Sequence, residues 1–519
     1  MCAFLFFYGL HLFGLVGADE PRYAQVAREM FERNDWVTPT LGGQAWLEKP
    51  VLYYWEARLA YSLFGVTDWA ARLPGAASAM LMVAAIYTVL RRLRPFAALD
   101  AALMTASCAA VVGFSHGAST DMLLAANLTI GLLCWYVFFE SRQRRWLLAA
   151  YVFLGLATLA KGPVAIALAA LPLLGFAVIR RRAGLLWTTL WLPGVALFVA
   201  VTLPWYVLVQ LRNPEFFRVF ILEHNLARYG TDLYRHTQPI WYYIPVAALC
   251  LMPWLVPVVQ SVSGTIREWW RQDRSDLDGV DQLDQFLLLW LLLPVAFFSL
   301  SQSKLPGYIL PAIPAASLLA ANRIGRRTEA PSARLSLIVT HCLGVAAMPA
   351  ALVFQLSVMR GAPTGTTAAA ALGLGAALTL ALVLVLRWKP GWAPLRFVTL
   401  VVTLLSLAAV LRFGASALDD TQSTRPLAMA LGHADTRRLP VAVLQAPRDV
   451  EYGLAFYRNQ VISRYERGEV PLVEHLLVVP GGAPADLAPF VGERRTSRLG
   501  SFVPRRLDYY RVEGVRPAP

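Results

Sequence analysis

Charge is scarce in this chain: Asp, Glu, Lys and Arg make up only 15% of its 519 residues. Cysteine is scarcer still. The five cysteines, Cys2, Cys108, Cys134, Cys250 and Cys342, fall in or beside apolar runs without metal-type spacing, which excludes a disulfide framework and a zinc knuckle. There is no low-complexity tract, no usable internal repeat and no phosphate loop. The opening segment, Met1 to Gly17, lacks a basic flank and a small-residue cleavage site, so it is not read as a cleaved signal peptide. A longer N-terminus upstream of it is expected. What the chain does have is apolar sequence, 57% of it, in repeated runs. Many of these reach the roughly 18–22 residues needed to cross a bilayer as helix. This is the composition of an integral membrane protein.

After a polar loop at 18–70, apolar segments recur at 71–90, 97–114, 121–139, 146–160, 163–179, 185–210, 239–260, 284–300, 306–322, 335–356, 367–386 and 395–412. With the first segment these predict an α-helical polytopic membrane protein of about thirteen spans. A formal net charge of +14 would suit a nucleic-acid binder, but the arginines sit between the apolar runs. Clusters such as Arg91–Arg92–Arg94, Arg142–Arg144–Arg145 and Arg180–Arg181–Arg182 mark alternate junctions as cytoplasmic, and no nucleic-acid partner is expected. The intervening loops, 18–70 and 211–238 among them, then face the opposite side. An odd span number puts the N-terminus inside and the tail outside. Residues 1–412 form the membrane domain. In the tail, 413–519, PVAVLQ (440–445) and EHLLVV (474–479) read as buried strands around a helix near 453–459, a small C-terminal α/β domain.

The stretch from Ala18 to Arg58 concentrates the polar chemistry. Tyr23, Val26, Ala27, Met30 and Phe31 fall on one helical face behind Asp19, which suits an N-cap, and Pro50 suits the first residue of a second helix. Three lysines precede prolines: Lys49 before Pro50, Lys161 before Gly162-Pro163, Lys304 before Leu305-Pro306. A lysine beside a helix N-terminus is unfavourable unless an anion lies between them, where backbone N–H groups and ammonium both point at it. Taken singly, each is equally well a snorkelling lysine. Three on one face predict a phosphate-bearing ligand. Acids complement them: Asp19, Glu20, Glu48 and Asp121, of which Asp121 is explained well enough as a helix cap. His224 and Glu48 are a conceivable metal pair, although spacing alone favours an ordinary surface histidine.

The blocks ADEPRYAQVAREM, DWVTP, LEKPVLYYW, FGVTDWAARLPGA, TDMLLAANL, LAKGP, ILEHNLARY and SQSKLPGYILP occur in that order. Together they resemble the bacterial GT-C glycosyltransferases of the aminoarabinose-transferase type, relatives of the protein O-mannosyltransferases, over roughly residues 1–325. The resemblance implies a GT-C inner-membrane enzyme whose active site, outer loops and C-terminal domain are periplasmic. It would move a sugar, such as 4-amino-4-deoxy-L-arabinose, from a polyprenyl-phosphate carrier to lipid A or another envelope acceptor. By motif match, Asp19 takes the position of the catalytic aspartate, with Glu20 adjoining it. Arg22, Lys49 and Tyr308 take those of residues contacting the carrier phosphate. Asp121, Lys161 and Lys304 fall in matching blocks, the first expected among the catalytic acids and the lysines among the donor-phosphate ligands. A divalent metal near the first loop is also implied, with Glu48 and His224 as its candidate ligands. Two rivals remain open: a lipid or sugar flippase, and an O-glycosyltransferase acting on protein hydroxyls.

Overall fold

The computed structural model describes all residues except 183, 228–237, 272–280, 327–334, 360–362, 389–390, 482–486 and 516–519. The chain forms two compact units. One comprises Met1–Tyr8, Leu47–Tyr53 and Pro74–Val410; the other comprises Gly9–Trp46, Tyr54–Leu73 and Leu411–Pro519. Most of the first loop thus groups with the tail.

The first unit is a helical bundle. Among the described residues seven helices of the chain are long and apolar enough to cross a membrane, as a multi-pass protein requires: Asp68–Leu93, Thr120–Ser141, Leu192–Arg212, Gln282–Leu300, Ile338–Gln355, Thr364–Trp388 and Trp392–Gln422. The pair Pro95–Ser107 and Ala109–Ser115, bent by 59°, is long and apolar enough only when its two helices are taken together. Cys108 is extended at the bend, and the freed N–H of Ala109 finds the Met252 carbonyl at 2.8 Å. That is how a broken helix survives away from water. The other apolar runs give shorter or interrupted helices. Val164–Ile179 has 16 residues, and prolines 306 and 311 hold Pro306–Ala312 as 3-10 helix before Ile313–Gly325. A hydropathy window counts apolar residues whether or not one helix carries them. Thr120–Ser141 is the bundle's central helix, buried along its whole apolar window.

The second unit contains a two-stranded hairpin, β1 (Thr40–Leu41) and β2 (Gln44–Ala45), and a five-stranded sheet. The sheet's strands are β3 (Val441–Val443), β4 (Ser463–Arg464), β5 (His475–Pro480), β6 (Thr496–Phe502) and β7 (Leu507–Val512), in the order β4-β3-β5-β7-β6. β3 runs parallel to β4 and β5, while β7 is antiparallel to β5 and β6. Val441, Val443, Leu476 and Val478 pack on one face; Ala442, Leu477 and Val479 pack on the other. Burial on both faces is why these strands read as unbroken apolar runs.

The Arg448–Arg458 helix of the tail packs on the Asp19–Glu32 helix of the loop. Arg28 donates to the Phe456 carbonyl at 3.0 Å, and Asn459 donates to Glu32 at 3.1 Å. Tyr23, Val26, Ala27 and Met30 are buried along the inner face of the loop helix. At its far end the buried Arg58 donates to the carbonyls of Met30 and Asp35, 2.9 Å each, and lies 3.9 Å over the Trp36 ring. A cation there complements the negative end of the helix.

Candidate active site

Asp19 opens the Asp19–Glu32 helix, but not as its cap. Ala18 occupies that position, and no side chain closes it. The Asp19 carboxylate accepts instead from Arg22 Nη2 at 2.6 Å, one turn on, and the two acids of this first turn complement the helix dipole. Asp19 is 63% exposed, whereas Arg22 is only 12% exposed. The guanidinium carbon lies 5.1 Å from the Tyr23 ring centre, 5.1 Å from that of Trp46 and 5.6 Å from that of Tyr452. Three aromatic rings thus surround a cation that pairs with the carboxylate one turn earlier. Glu20 turns the other way, accepting from Arg72 at 2.7 Å and from the Val16 N–H at 2.8 Å.

The loop that delivers Trp46 is ordered by a carboxylate. Glu29 accepts from the N–H groups of Gly42 and Gly43, at 2.7 and 3.1 Å, and from the Thr40 hydroxyl at 2.7 Å. Both glycines have positive φ, +62° and +78°, so the hairpin tip can fold over that acid. Glu48 and Lys49 follow and are half-buried. The next helix begins at Leu52, two residues beyond Pro50.

In the bundle unit, Asp121, Lys161 and Tyr308 come together. Ser119 caps the Thr120–Ser141 helix by accepting from the Asp121 N–H, so capping does not account for Asp121. Its carboxylate takes the Lys161 ammonium instead. Lys161 is the last residue of Arg144–Lys161, which Gly162 terminates at φ +87°, so it stands at the negative end of its own helix. The expected helix N-terminus does follow, Val164–Ile179 with Pro163 at its N-cap, so Lys161 stands at a junction between the negative end of one helix and the positive end of the next. The ammonium lies 5.1 Å from the centre of the Tyr308 ring, which also packs on Phe298 at 5.0 Å. Gly307 permits the approach: a Cβ on it would stand 2.9 Å from Phe114 and 3.1 Å from Asp121 Oδ1. Lys304 is buried, donating to the carbonyls of Ser301 at 2.6 Å and Gln238 at 3.0 Å, which fixes the turn leading into Pro306.

Among the described residues no group of three or more His, Cys, Asp or Glu side chains converges as a metal centre would require. His224 lies in the Phe217–Ala227 helix with its side chain outside the described residues, so the Glu48–His224 ligand pair lies outside them as well. Reading the sequence missed Arg72, Trp46, Tyr452 and Phe298. Arg72 alone carried a signal, as an arginine just inside an apolar span.

Glu56, in the Leu52–Phe64 helix, has its carboxyl raised to about 7 by desolvation. The folded protein therefore holds this proton where the unfolded chain releases it, between roughly pH 4.5 and 7, and stability falls as pH rises through that window. Glu56→Gln is expected to melt with the parent at pH 5 and above it at pH 8. Equal melting temperatures at pH 8 would show that the carboxyl is solvated.

Residues 48–207 match the family described as dolichyl-phosphate-mannose-protein mannosyltransferase. The chain is 33% identical over 370 residues, 69% of its own length, to undecaprenyl phosphate-alpha-4-amino-4-deoxy-L-arabinose arabinosyl transferase 2 of Pseudomonas fluorescens, 61% of which is covered. It is 30% identical over 345 residues to the corresponding transferase of Edwardsiella ictaluri, covering 64% of this chain and 60% of that one. The chain thus spans about three fifths of the length of the curated relatives it matches. Its fold follows the crystal structure of ArnT from Cupriavidus metallidurans bound to undecaprenyl phosphate, with a TM-score of 0.79 and 24% identity over 98% of this chain and 96% of the other. The resemblance read from the sequence is borne out: the chain is similar to the aminoarabinose transferases over about two thirds of its own length, and its fold is of GT-C architecture.

Proposed function

We propose, from that likeness, that the chain transfers a sugar from a polyprenyl-phosphate carrier to lipid A or another envelope acceptor on the periplasmic side of the inner membrane. About thirteen spans, a cytoplasmic N-terminus and a periplasmic C-terminal domain complete the reading. The observation that carries it is the Asp19–Arg22 turn: an exposed carboxylate beside a guanidinium held among three rings.

Cleaving the bond from the anomeric carbon to the carrier phosphate leaves negative charge on that phosphate. Cations and hydroxyls fixed beforehand stabilise such charge without reorganising. Arg22, Lys49, Lys161 and Tyr308 are the residues proposed for this work. Asp19 acts on the other partner. For a hydroxyl acceptor it is the general base. For a lipid A phosphate, already largely ionised, it orients a cationic amino-sugar or steadies the oxocarbenium-like centre. Glu48 and His224 are given no metal step.

Lys49→Ala is expected to weaken capture of undecaprenyl-phosphate-linked 4-amino-4-deoxy-L-arabinose by about tenfold or more, the loss of a charge-assisted hydrogen bond. Unchanged donor affinity would count against the phosphate role. The family matched by residues 48–207 favours one further reading, a protein hydroxyl as acceptor. The mass added to lipid A, or to envelope proteins, when the chain is expressed beside its Asp19→Asn variant separates the acceptors.

A further inference from the structure

Just before the Asp19–Glu32 helix runs a segment, Leu10–Val16, whose polar backbone groups are met by side chains rather than by a ladder. Arg72, 0% exposed, spends four N–H groups there: on the carbonyls of Leu10 (2.9 Å), Phe13 (2.8 Å) and Gly14 (2.8 Å), and on Glu20 Oε2 (2.7 Å). Its guanidinium carbon lies 4.4 Å over the Phe13 ring. Glu20 Oε2 also accepts the Val16 N–H at 2.8 Å. The Gly14 N–H donates to Asp419 at 2.8 Å, and the Leu15 N–H donates to the Tyr457 hydroxyl at 2.7 Å. Space is as tightly specified as polarity: a Cβ on Gly14 would stand 2.3 Å from Ser423 Oγ.

A fully buried guanidinium is tolerated when it is paired and hydrogen-bonded, and here both Nη atoms are fully engaged although Nε has no partner among the described residues. Here the pairing reaches into the first turn of the helix. Successive residues of a helix point about 100° apart, so fixing Glu20 inward, at 14% exposure, fixes Asp19 outward at 63%. We infer that Arg72 and Glu20 are positioning residues for Asp19: their buried pair sets the start and roll of this helix, and Glu20 is not itself a reacting acid. The inference rests on Asp19 as the catalytic carboxylate. A reacting group displaced by about 1 Å loses on the order of 100-fold in rate.

The test uses the full chain in lipid nanodiscs, with undecaprenyl-phosphate-linked 4-amino-4-deoxy-L-arabinose and lipid A as substrates. Turnover and its pH profile are measured for Glu20→Gln, Glu20→Ala, Arg72→Lys and Arg72→Gln, with Asp19→Asn as reference. Glu20→Gln keeps an oxygen for Val16 and Arg72; it is expected to retain about a tenth or more of parental turnover, with the parental pH profile. Glu20→Ala and Arg72→Gln should lose about 100-fold, with Arg72→Lys between. A Glu20→Gln protein as inactive as Asp19→Asn, or one whose profile loses a limb, makes Glu20 a reacting group and overturns the inference. So does parental turnover in Glu20→Ala or Arg72→Gln. Should those two not fold, the Glu20→Gln profile decides. Parental turnover in Asp19→Asn instead removes the catalytic reading itself, whatever Glu20 does.

Discussion

Asp19→Asn should lower sugar transfer by about 10²–10⁴-fold, the usual worth of a positioned acid or base, while the protein stays folded and inserted. The substitution keeps the shape of the side chain and removes only its charge. Its cost to stability is small, because Asp19 is 63% exposed and the amide oxygen can still accept from Arg22. Both proposed jobs need the charge: an amide can neither take a proton from a hydroxyl nor balance positive charge at the anomeric centre. Asp19→Glu, which keeps the charge but moves it by one methylene, should fall between the two. Undiminished transfer by Asp19→Asn, from carrier to acceptor in a purified system, would take this residue out of the chemistry.

The buried face of the loop helix was legible from spacing, because apolar periodicity reports a local geometry that tertiary contacts reinforce. The caps were not. Asp19 and Asp121 both look like N-caps in sequence, yet Ala18 and Ser119 hold those positions, because Arg22 and Lys161 offer the carboxylates a charged partner. Lys49 and Lys161 were read as equivalents because each lies near a proline. Gly162 separates them physically: at φ +87° it ends one helix just before Pro163 caps the next, leaving Lys161 at a C-terminus as well as ahead of an N-terminus. A hydropathy window is blind in a related way, since it passes straight through the break at Cys108 and the prolines of 306–314 without showing where a helix bends. Tyr452 joins Arg22 from the other end of the sequence, and no local pattern announces a contact that the fold alone creates.

Breaking the Asp121–Lys161 pair should separate structure from chemistry. The two side chains are 21% and 14% exposed, so deleting one leaves the other charge poorly solvated. Asp121→Asn or Lys161→Met alone is expected to cost about 1–3 kcal/mol of stability and about 10²–10³-fold in turnover. In the double variant neither charge is stranded, and stability should return most of the way to the parent. Turnover should not. Lys161 faces the Tyr308 ring 5.1 Å away, and bare Gly307 lets that segment lie against Asp121, so the pair arranges a cation and a phenol next to one another. Melting temperatures and turnover measured across this double-mutant cycle decide the matter. If activity recovers together with stability, the pair only holds helices together. If stability recovers and activity stays low, the ammonium is needed where negative charge develops on the departing carrier.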